Sequence, residues 1–220
     1  VQTCALPIFH GVECLNRNFY EYRVPVAHGT VPQARQFQRF QFAAILALIR
    51  DEARILNSIS SSPQEALDGK VTLTIKRVPG GIASNYMLDH WKVGDKVTLT
   101  GPLGEFVYLP VRDGSTVIGV AGGSGITPFH SFAKAIAEGD EDFNLVMLYG
   151  SRTEKDILFK DAFDAIQKQT DKVKVVHVLS DEEKPGYEHG FITADLIKKY
   201  APAEDRSEER RVGKECRSRW

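Results

Sequence analysis

Three glycines and a proline stand between an apolar run and a helix-like run in residues 117–132, VIGVAGGSGITPFHSF. Gly122, Gly123 and Gly125 permit positive φ and a close approach of the backbone to a ligand, and Pro128 suits the first turn of a helix. Where a parallel strand ends and a helix begins, backbone N–H groups and the helix dipole favour a phosphate. We therefore expect a phosphorylated ligand here, with a tight turn that holds nothing as the alternative. The segment contains neither G-x-G-x-x-G nor the G-K-[ST] of a nucleoside-triphosphate loop.

A second candidate anion site lies in residues 80–88, GGIASNYML. Gly81 and Ser84 stand where a helix is expected to begin toward Met87 and Leu88, so the N-terminus of that helix would face the anion. Simple N-capping by Ser84 is the alternative.

Two hydrophobic patterns predict the strands and helices that position these residues. Residues 70–78 alternate apolar and polar side chains, which predicts a half-buried antiparallel strand, and residues 96–100 predict another before Gly-Pro and Gly turns. After Gly114, long apolar strands alternate with amphipathic helices, which is typical of a parallel sheet covered on both faces. We therefore predict a partial β barrel followed by a doubly wound α/β domain. Residues 33–50 predict one amphipathic helix, which supplies none of the remaining barrel strands.

The composition excludes several classes of protein. With 28 basic and 29 acidic residues and a formal net charge of −1, the chain offers no electrostatic case for nucleic acid. Its longest apolar run, residues 42–49, is far shorter than the roughly 20 residues of a membrane span, so we expect no span and a cytoplasmic setting. Cys4, Cys14 and Cys216 fit neither a disulfide framework nor a metal-ligand spacing, so we expect no metal site.

The motifs together resemble the ferredoxin–NADP reductase superfamily over residues 58–205. GGSGITP after an apolar strand is similar to its nicotinamide-dinucleotide motif, and four further pieces stand in the family's order. They are SISSSP at 58–63, GGIASNYML at 80–88, GDKVTLTGPLGEF at 94–106 and YGSRTEKDILFKDAF at 149–163. The resemblance implies an FAD-binding barrel, of which residues 58–112 are the remainder, followed by an NAD(P)-binding Rossmann-like domain at 113–205.

The resemblance also implies a reaction: hydride transfer from NAD(P)H to FAD, then passage of electrons to an iron–sulfur or haem partner. Such chemistry is carried by the cofactors and needs no acid–base pair in the protein. Ser58 and Thr127 would lie near the reacting rings, as the catalytic positions. The predicted cofactor-binding residues are Ser58, Ser60, Gly81, Ile82, Ala83 and Ser84 for FAD, and Gly122, Gly123, Ser124, Gly125, Ile126, Thr127, Ser151 and Arg152 for the dinucleotide.

Two features of the sequence depart from the family. The arginine and tyrosine of its Arg-x-Tyr-Ser motif should stand at positions 55 and 57, where this chain has Ile55 and Asn57. We therefore expect weak or absent flavin binding, and an upstream frameshift that makes residues 1–57 doubtful. The family's Cys-Gly-Pro strand is expected soon after Asp205, where an arginine-rich stretch, 206–220, follows instead. We interpret that stretch as a non-native or disordered tail and the chain as a truncated fragment.

Three questions remain open in the sequence. Ser151 and Arg152 follow the second predicted Rossmann strand, where a hydroxyl and a guanidinium would suit a ribose 2′-phosphate and hence NADP. Two solvated loop residues are the equal alternative, so NAD and NADP both stand. A non-catalytic regulatory subunit that binds flavin or nucleotide is a second functional hypothesis. An S-adenosylmethionine-dependent methyltransferase is a third, and it would require an acidic residue after that strand.

Overall fold

The structure is a computed structural model, and it describes residues 4–7, 11–16, 19–25, 43–47, 54–103 and 106–201. Side chains are described for residues 58–95 and 106–201. Within these parts of the chain, no helix combines the length and the apolar character needed to cross a membrane.

Antiparallel strands build the first half of the chain. Two sheets form, with strand orders β1-β7-β4-β5 and β2-β3-β6, and a bridge between Ile59 and Leu73 joins the chain after β5 to β6. Two helices, α1 and α2, flank β6. The bounds are β1 Cys4–Pro7, β2 Gly11–Asn16, β3 Phe19–Pro25, β4 Ala43–Ala47, β5 Arg54–Ser58, α1 Pro63–Leu67, β6 Lys70–Lys76, α2 Ile82–His90 and β7 Lys96–Leu103.

Two predictions for this half are corrected. The amphipathic helix expected at 33–50 is contradicted at its centre, because Ala43–Ala47 is a strand that pairs with β5 and β7; the rest of that range lies outside the described residues. Strand pairing with distant partners here overrides a local helical period. The second strand does not stop at residue 100 but continues through Gly101 and Pro102 to Leu103. The pairing with β4 is irregular here, because Ala43 pairs with Leu103 and Ile45 with Thr100, and a proline is tolerated at such a bulge.

The second half is the predicted α/β unit. Four parallel strands lie in the order β11-β10-β9-β8, and the buried core between sheet and helices includes Phe129, Leu145 and Phe163. The predicted order of strand, helix, strand, helix and strand is confirmed. The bounds are β8 Thr116–Gly122, α3 Thr127–Glu138, β9 Asn144–Ser151, α4 Lys160–Gln169, β10 Val173–Leu179, β11 Glu188–His189 and α5 Ala194–Tyr200.

Helix boundaries in this half follow the sequence signals. Gly139 ends α3 in the left-handed region with φ +85°, as a glycine just past a helix end does. Thr193 caps α5, because its Oγ1 accepts a hydrogen bond from the N–H of Leu196 at 3.2 Å. A 3₁₀ turn at Gly123–Ile126 precedes α3 and was not predicted.

Candidate functional site

The glycine loop connects β8 to α3 at the carboxyl end of the parallel sheet. Gly122 is extended with φ −134°, and Gly123 enters the left-handed region with φ +53°. Gly125 does not adopt positive φ, so only one of the three glycines requires the conformational freedom predicted for all of them. The left-handed residue is needed where the extended strand turns into the 3₁₀ turn.

The loop is open on one side and anchored on the other. Ser124 and Gly125 are exposed, and a Cβ added to Gly125 would meet nothing within 4 Å. Ile126 is 0% exposed and packs in the core. Thr127 is buried, and its Oγ1 donates to the carbonyl of Ser124 at 3.0 Å. A helix start with this open approach fits the phosphates of a dinucleotide.

Tyr149 supports the loop from below, a role that the sequence did not reveal. Its side chain is fully buried; its Oη donates to the carbonyl of Gly123 at 3.1 Å and accepts from the N–H of Leu158 at 3.1 Å. Burial raises the pKa of Tyr149 to about 12, so the hydroxyl stays protonated and able to donate. One phenol therefore ties the glycine loop to the segment before α4.

Lys76 brings the first half of the chain to the loop. A Cβ placed on Gly123 would lie 3.7 Å from Lys76 Nζ, across the seam between the antiparallel and the parallel sheets. Lys76 is the last residue of β6, the strand that leads into α2. An ammonium at this place favours an anion on the loop. Lys76 was not predicted as a site residue, although it lies near the end of a predicted strand, shortly before the Gly80-Gly81 pair.

The second predicted anion site forms the start of α2. Gly81 is the N-cap, and the helix begins at Ile82, two residues before the predicted start at Ser84. Ser84 is not the cap; its Oγ accepts from the N–H of Val78 at 3.2 Å and lies 2.9 Å from where a Cβ of Gly81 would be, so the side chain is folded back on the turn. The first N–H groups of a helix have no intrahelical acceptor, and those of Ile82 and Ala83 lie at this end.

The serine-rich segment leads from β5 into α1. Ser58 is half-buried at the end of β5. Ser60 is only 1% exposed, and its Oγ lies 2.7 Å from Thr74 Oγ1 and 3.3 Å from the carbonyl of Thr72. Its hydroxyl is therefore engaged with β6, and the roles predicted for Ser58 and Ser60 remain predictions.

Ser151 and Arg152 end β9 in different environments. Ser151 is buried, which corrects the alternative of a solvated loop residue. The Arg152 side chain is 78% exposed, with Nε and Nη2 both 2.7 Å from Asp181 Oδ2. The carboxylate of Asp181 raises the pKa of the Arg152 guanidinium. The cation expected to read the ribose is therefore paired with an acid from the loop after β10.

The residues fit the two cofactors unequally. The open glycine loop, Gly123 and Lys76 fit a dinucleotide, and the start of α2 fits a flavin pyrophosphate. Positions 55 and 57 hold Ile55 and Asn57, which lack the guanidinium and the phenol ring with which the family holds the flavin; their side chains lie outside the described residues.

Two family models match the chain in sequence order. The oxidoreductase FAD-binding domain matches residues 30–108, and the oxidoreductase NAD-binding domain matches residues 120–212. Together they cover more than three quarters of the chain. The first match includes part of the segment 1–57 and the second the beginning of the segment 206–220, so the predicted division at 57, 112 and 205 remains a prediction.

Similar proteins agree with these matches. NADH-cytochrome b5 reductase 2 of Mycosarcoma maydis is 33% identical over 147 residues, which are 66% of this chain and 41% of that protein. The cytochrome b5 reductase domain of Ulva prolifera nitrate reductase has a TM-score of 0.72 at 22% identity, covering 90% of this chain and 82% of that one. A ferredoxin NADP+ reductase from Neisseria gonorrhoeae, with bound FAD and NADP, has a TM-score of 0.70 at 17% identity, covering 93% and 79%. The chain spans about half the length, or less, of the curated relatives it matches.

These findings overturn the methyltransferase hypothesis, since both matched domains are those of oxidoreductases and β9 ends in Gly150 and Ser151 without an acid. The two domains in this order, the parallel sheet and the glycine loop show that the chain belongs to the ferredoxin–NADP reductase superfamily of FAD- and NAD(P)-binding oxidoreductases.

Proposed function

We propose that this chain is part of an NADH-dependent flavin reductase that passes electrons to a haem partner, with an iron–sulfur partner as the alternative acceptor. The observation that carries the proposal is the seam, where a Cβ built on Gly123 of the open loop would lie 3.7 Å from Nζ of Lys76 in the first half of the chain. When bound, the nicotinamide supplies a hydride and the flavin accepts it and releases its two electrons singly. The name of the relative from Mycosarcoma maydis supports a haem acceptor.

The chain's own residues bind and orient the two cofactors. The helix start behind the glycine loop and the Lys76 ammonium attract the dinucleotide phosphates. Thr127 closes the loop by donating to Ser124, and Tyr149 holds Gly123 from the core side. The start of α2, at Gly81 and Ile82, offers N–H groups to the flavin pyrophosphate.

We propose NADH rather than NADPH as the donor. Arg152 would have to break its bonds to Asp181 before it could bind a 2′-phosphate, and Asp181 would repel that phosphate. The Glu182 carboxylate adds acidic charge here, since it accepts from the N–H of Glu154 at 2.8 Å, whereas the Glu154 carboxylate is paired with Lys184. We expect at least tenfold tighter binding of NADH than of NADPH, measured by fluorescence titration of each nucleotide.

A matched pair of variants tests the coenzyme choice. Asp181→Asn removes the acid from Arg152 and is expected to improve NADPH binding about tenfold, equivalent to roughly 1.4 kcal/mol, with NADH binding nearly unchanged. Glu183→Gln removes one charge from the same loop and is expected to leave the preference near that of the parent. Equal improvement in both variants would mean that general charge, rather than the ion pair, sets the choice.

Electron transfer is tested by anaerobic mixing of the chain, saturated with added FAD, with NADH. The flavin absorbance should bleach faster than in a mixture without protein. Dinucleotide binding without accelerated bleaching would favour the second candidate, a binding module without reductase turnover. The observation that favours that candidate is the presence of Ile55 and Asn57 in place of the family's arginine and tyrosine. The double variant Ile55→Arg/Asn57→Tyr is therefore expected to tighten FAD binding.

A further inference from the structure

Helix α3 contacts the first half of the chain through three side chains on one face. His130 Nδ1 donates to the carbonyl of Ser60 at 2.9 Å, because a carbonyl can only accept. Ser131 Oγ donates to the carbonyl of Ser61 at 2.6 Å. Lys134 forms an ion pair with Glu65 of α1. These contacts join residues about 70 positions apart in the sequence.

The carbonyls that accept these bonds from α3 are buried, and other polar groups of the same two serines bond to β6. Ser60 and Ser61 are each 1% exposed. The N–H of Ser60 donates to the carbonyl of Thr72 at 2.9 Å, and Ser61 Oγ accepts from the N–H of Thr72 at 3.0 Å. The serine segment is thus bonded to β6 on one side and to α3 on the other, and removal of an α3 donor would leave a buried carbonyl without its partner.

Glu65 serves both halves at once. Its Oε2 accepts from the N–H of Ser62 at 2.8 Å, completing the cap of α1, and the same oxygen pairs with Lys134. Burial acts to raise the pKa of the Glu65 carboxyl, but the bonds from Lys134 and from the N–H of Ser62 outweigh it and hold that pKa below its ordinary value. The carboxylate is therefore ionised at neutral pH and links the two halves.

The same helix begins at the glycine loop. Thr127 is its first residue, and His130 follows one turn later. The His130 ring stacks on Phe159 with centroids 3.9 Å apart and an angle of 8° between the planes, which fixes it against the second half. One helix therefore begins at the dinucleotide loop and, one and two turns later, contacts the segment after Ser58 through hydrogen bonds and an ion pair.

We infer that His130, Ser131 and Lys134 are positioning residues. Through their contacts, a dinucleotide bound at the glycine loop stabilises the serine segment in the first half of the chain. This inference rests on the proposed function. It predicts that occupation of the loop stabilises residues 60–76, and that loss of the α3 contacts slows hydride transfer without weakening dinucleotide binding.

The experiment is hydrogen exchange, followed by mass spectrometry, on the whole chain with and without saturating NADH. In the parent, NADH should slow exchange at residues 117–135 and also at residues 60–76. In Ser131→Ala/Lys134→Met, the slowing should persist at 117–135 and be lost at 60–76. Lys172→Met is the matched control, because Lys172 pairs with Asp142 within the second half, and it should behave as the parent.

A kinetic readout separates positioning from simple stability. With added FAD at saturation, the limiting rate of flavin bleaching in Ser131→Ala/Lys134→Met should fall at least tenfold, while the dissociation constant of NADH changes less than twofold. The conservative variant Lys134→Arg keeps the ion pair and should retain the parent's rate. If NADH still slowed hydrogen exchange at residues 60–76 in the double variant, the inference would be overturned.

The two failures are distinguishable. Absence of NADH protection at residues 117–135 in the parent would refute the proposed function itself. Protection at 117–135 without protection at 60–76 in the parent would refute only the inference, since the dinucleotide would bind and the first half would not sense it.

Discussion

The buried His130 makes the stability of the fold depend on pH in a definite window. Its ring is enclosed by Phe159 and Phe163 and by the Ser60 carbonyl. Burial lowers the pKa of His130 from 6.5 to about 4. Ser60 and Glu65 act in the opposite direction, and Lys134 adds to the lowering. The imidazole is therefore neutral in the folded chain throughout the range in which the unfolded chain becomes protonated.

The sign and size of the effect follow from that pKa. Between pH 6.5 and about 4, His130 is protonated in the unfolded chain but stays neutral in the folded chain. The free energy of unfolding therefore falls as the pH drops through this range, and the contribution is constant below pH 4. With a pKa of about 4 in the folded state, the loss between pH 7.5 and pH 5 is about 2 kcal/mol, and the full loss is on the order of 3 kcal/mol.

The assay is urea denaturation at pH 7.5, 6 and 5. His130→Asn places an amide where Nδ1 lies, so it can still donate to Ser60 but cannot titrate, and its fall in stability should be smaller than the parent's by about 2 kcal/mol. The lowered pKa of His177, caused mainly by burial, acts in the same direction but is present in both proteins and cancels. His189→Asn, at an exposed histidine, is the control for the replacement of a histidine by an asparagine. Equal slopes in the parent and in His130→Asn would refute the reasoning.

Two further substitutions test the support of the glycine loop and the packing of β8 against α3. Tyr149→Phe removes the hydroxyl that bonds to Gly123 and Leu158; we expect a loss of about 1–3 kcal/mol in the free energy of unfolding and severalfold weaker NADH binding, and unchanged binding in a titration would contradict this role. Gly119→Ala would place a Cβ 2.6 Å from Phe129 Cε1, so the urea midpoint should fall by the equivalent of about 1–3 kcal/mol. A midpoint equal to the parent's would show that Phe129 can move aside.

Local patterns in the sequence were sufficient for the α/β half. Its first two strands are long and largely apolar, β10 is interrupted only by Lys174 and His177, and its helices have apolar residues at helical spacing. The order β8, α3, β9, α4, β10 and α5 could therefore be predicted without knowledge of any partner, whereas the two-residue strand β11 was not predicted. The glycine loop was recognisable for the same reason, because a parallel strand, glycines and a helix start are adjacent in the chain.

Features that depend on distant contacts could not be predicted in this way. Residues 43–47 have a helical local pattern, and they form a strand because β5 and β7 pair with them. Nothing near His130 in the sequence reveals that its partner is Ser60. Likewise, the sequence around Arg152 favours a role at the ribose. It does not reveal that Arg152 pairs with Asp181, which stands almost thirty residues away.

We propose that a nicotinamide and a flavin meet at the seam beside Gly123 and Lys76. The most direct measurement is the anaerobic rate of flavin bleaching by NADH, with FAD saturating, in the parent and in Lys76→Met. We expect bleaching faster than in the protein-free mixture, and a loss of at least tenfold in the rate at low NADH concentration when the Lys76 ammonium is removed. Bleaching that equals the protein-free rate, although NADH binds, would contradict the proposal.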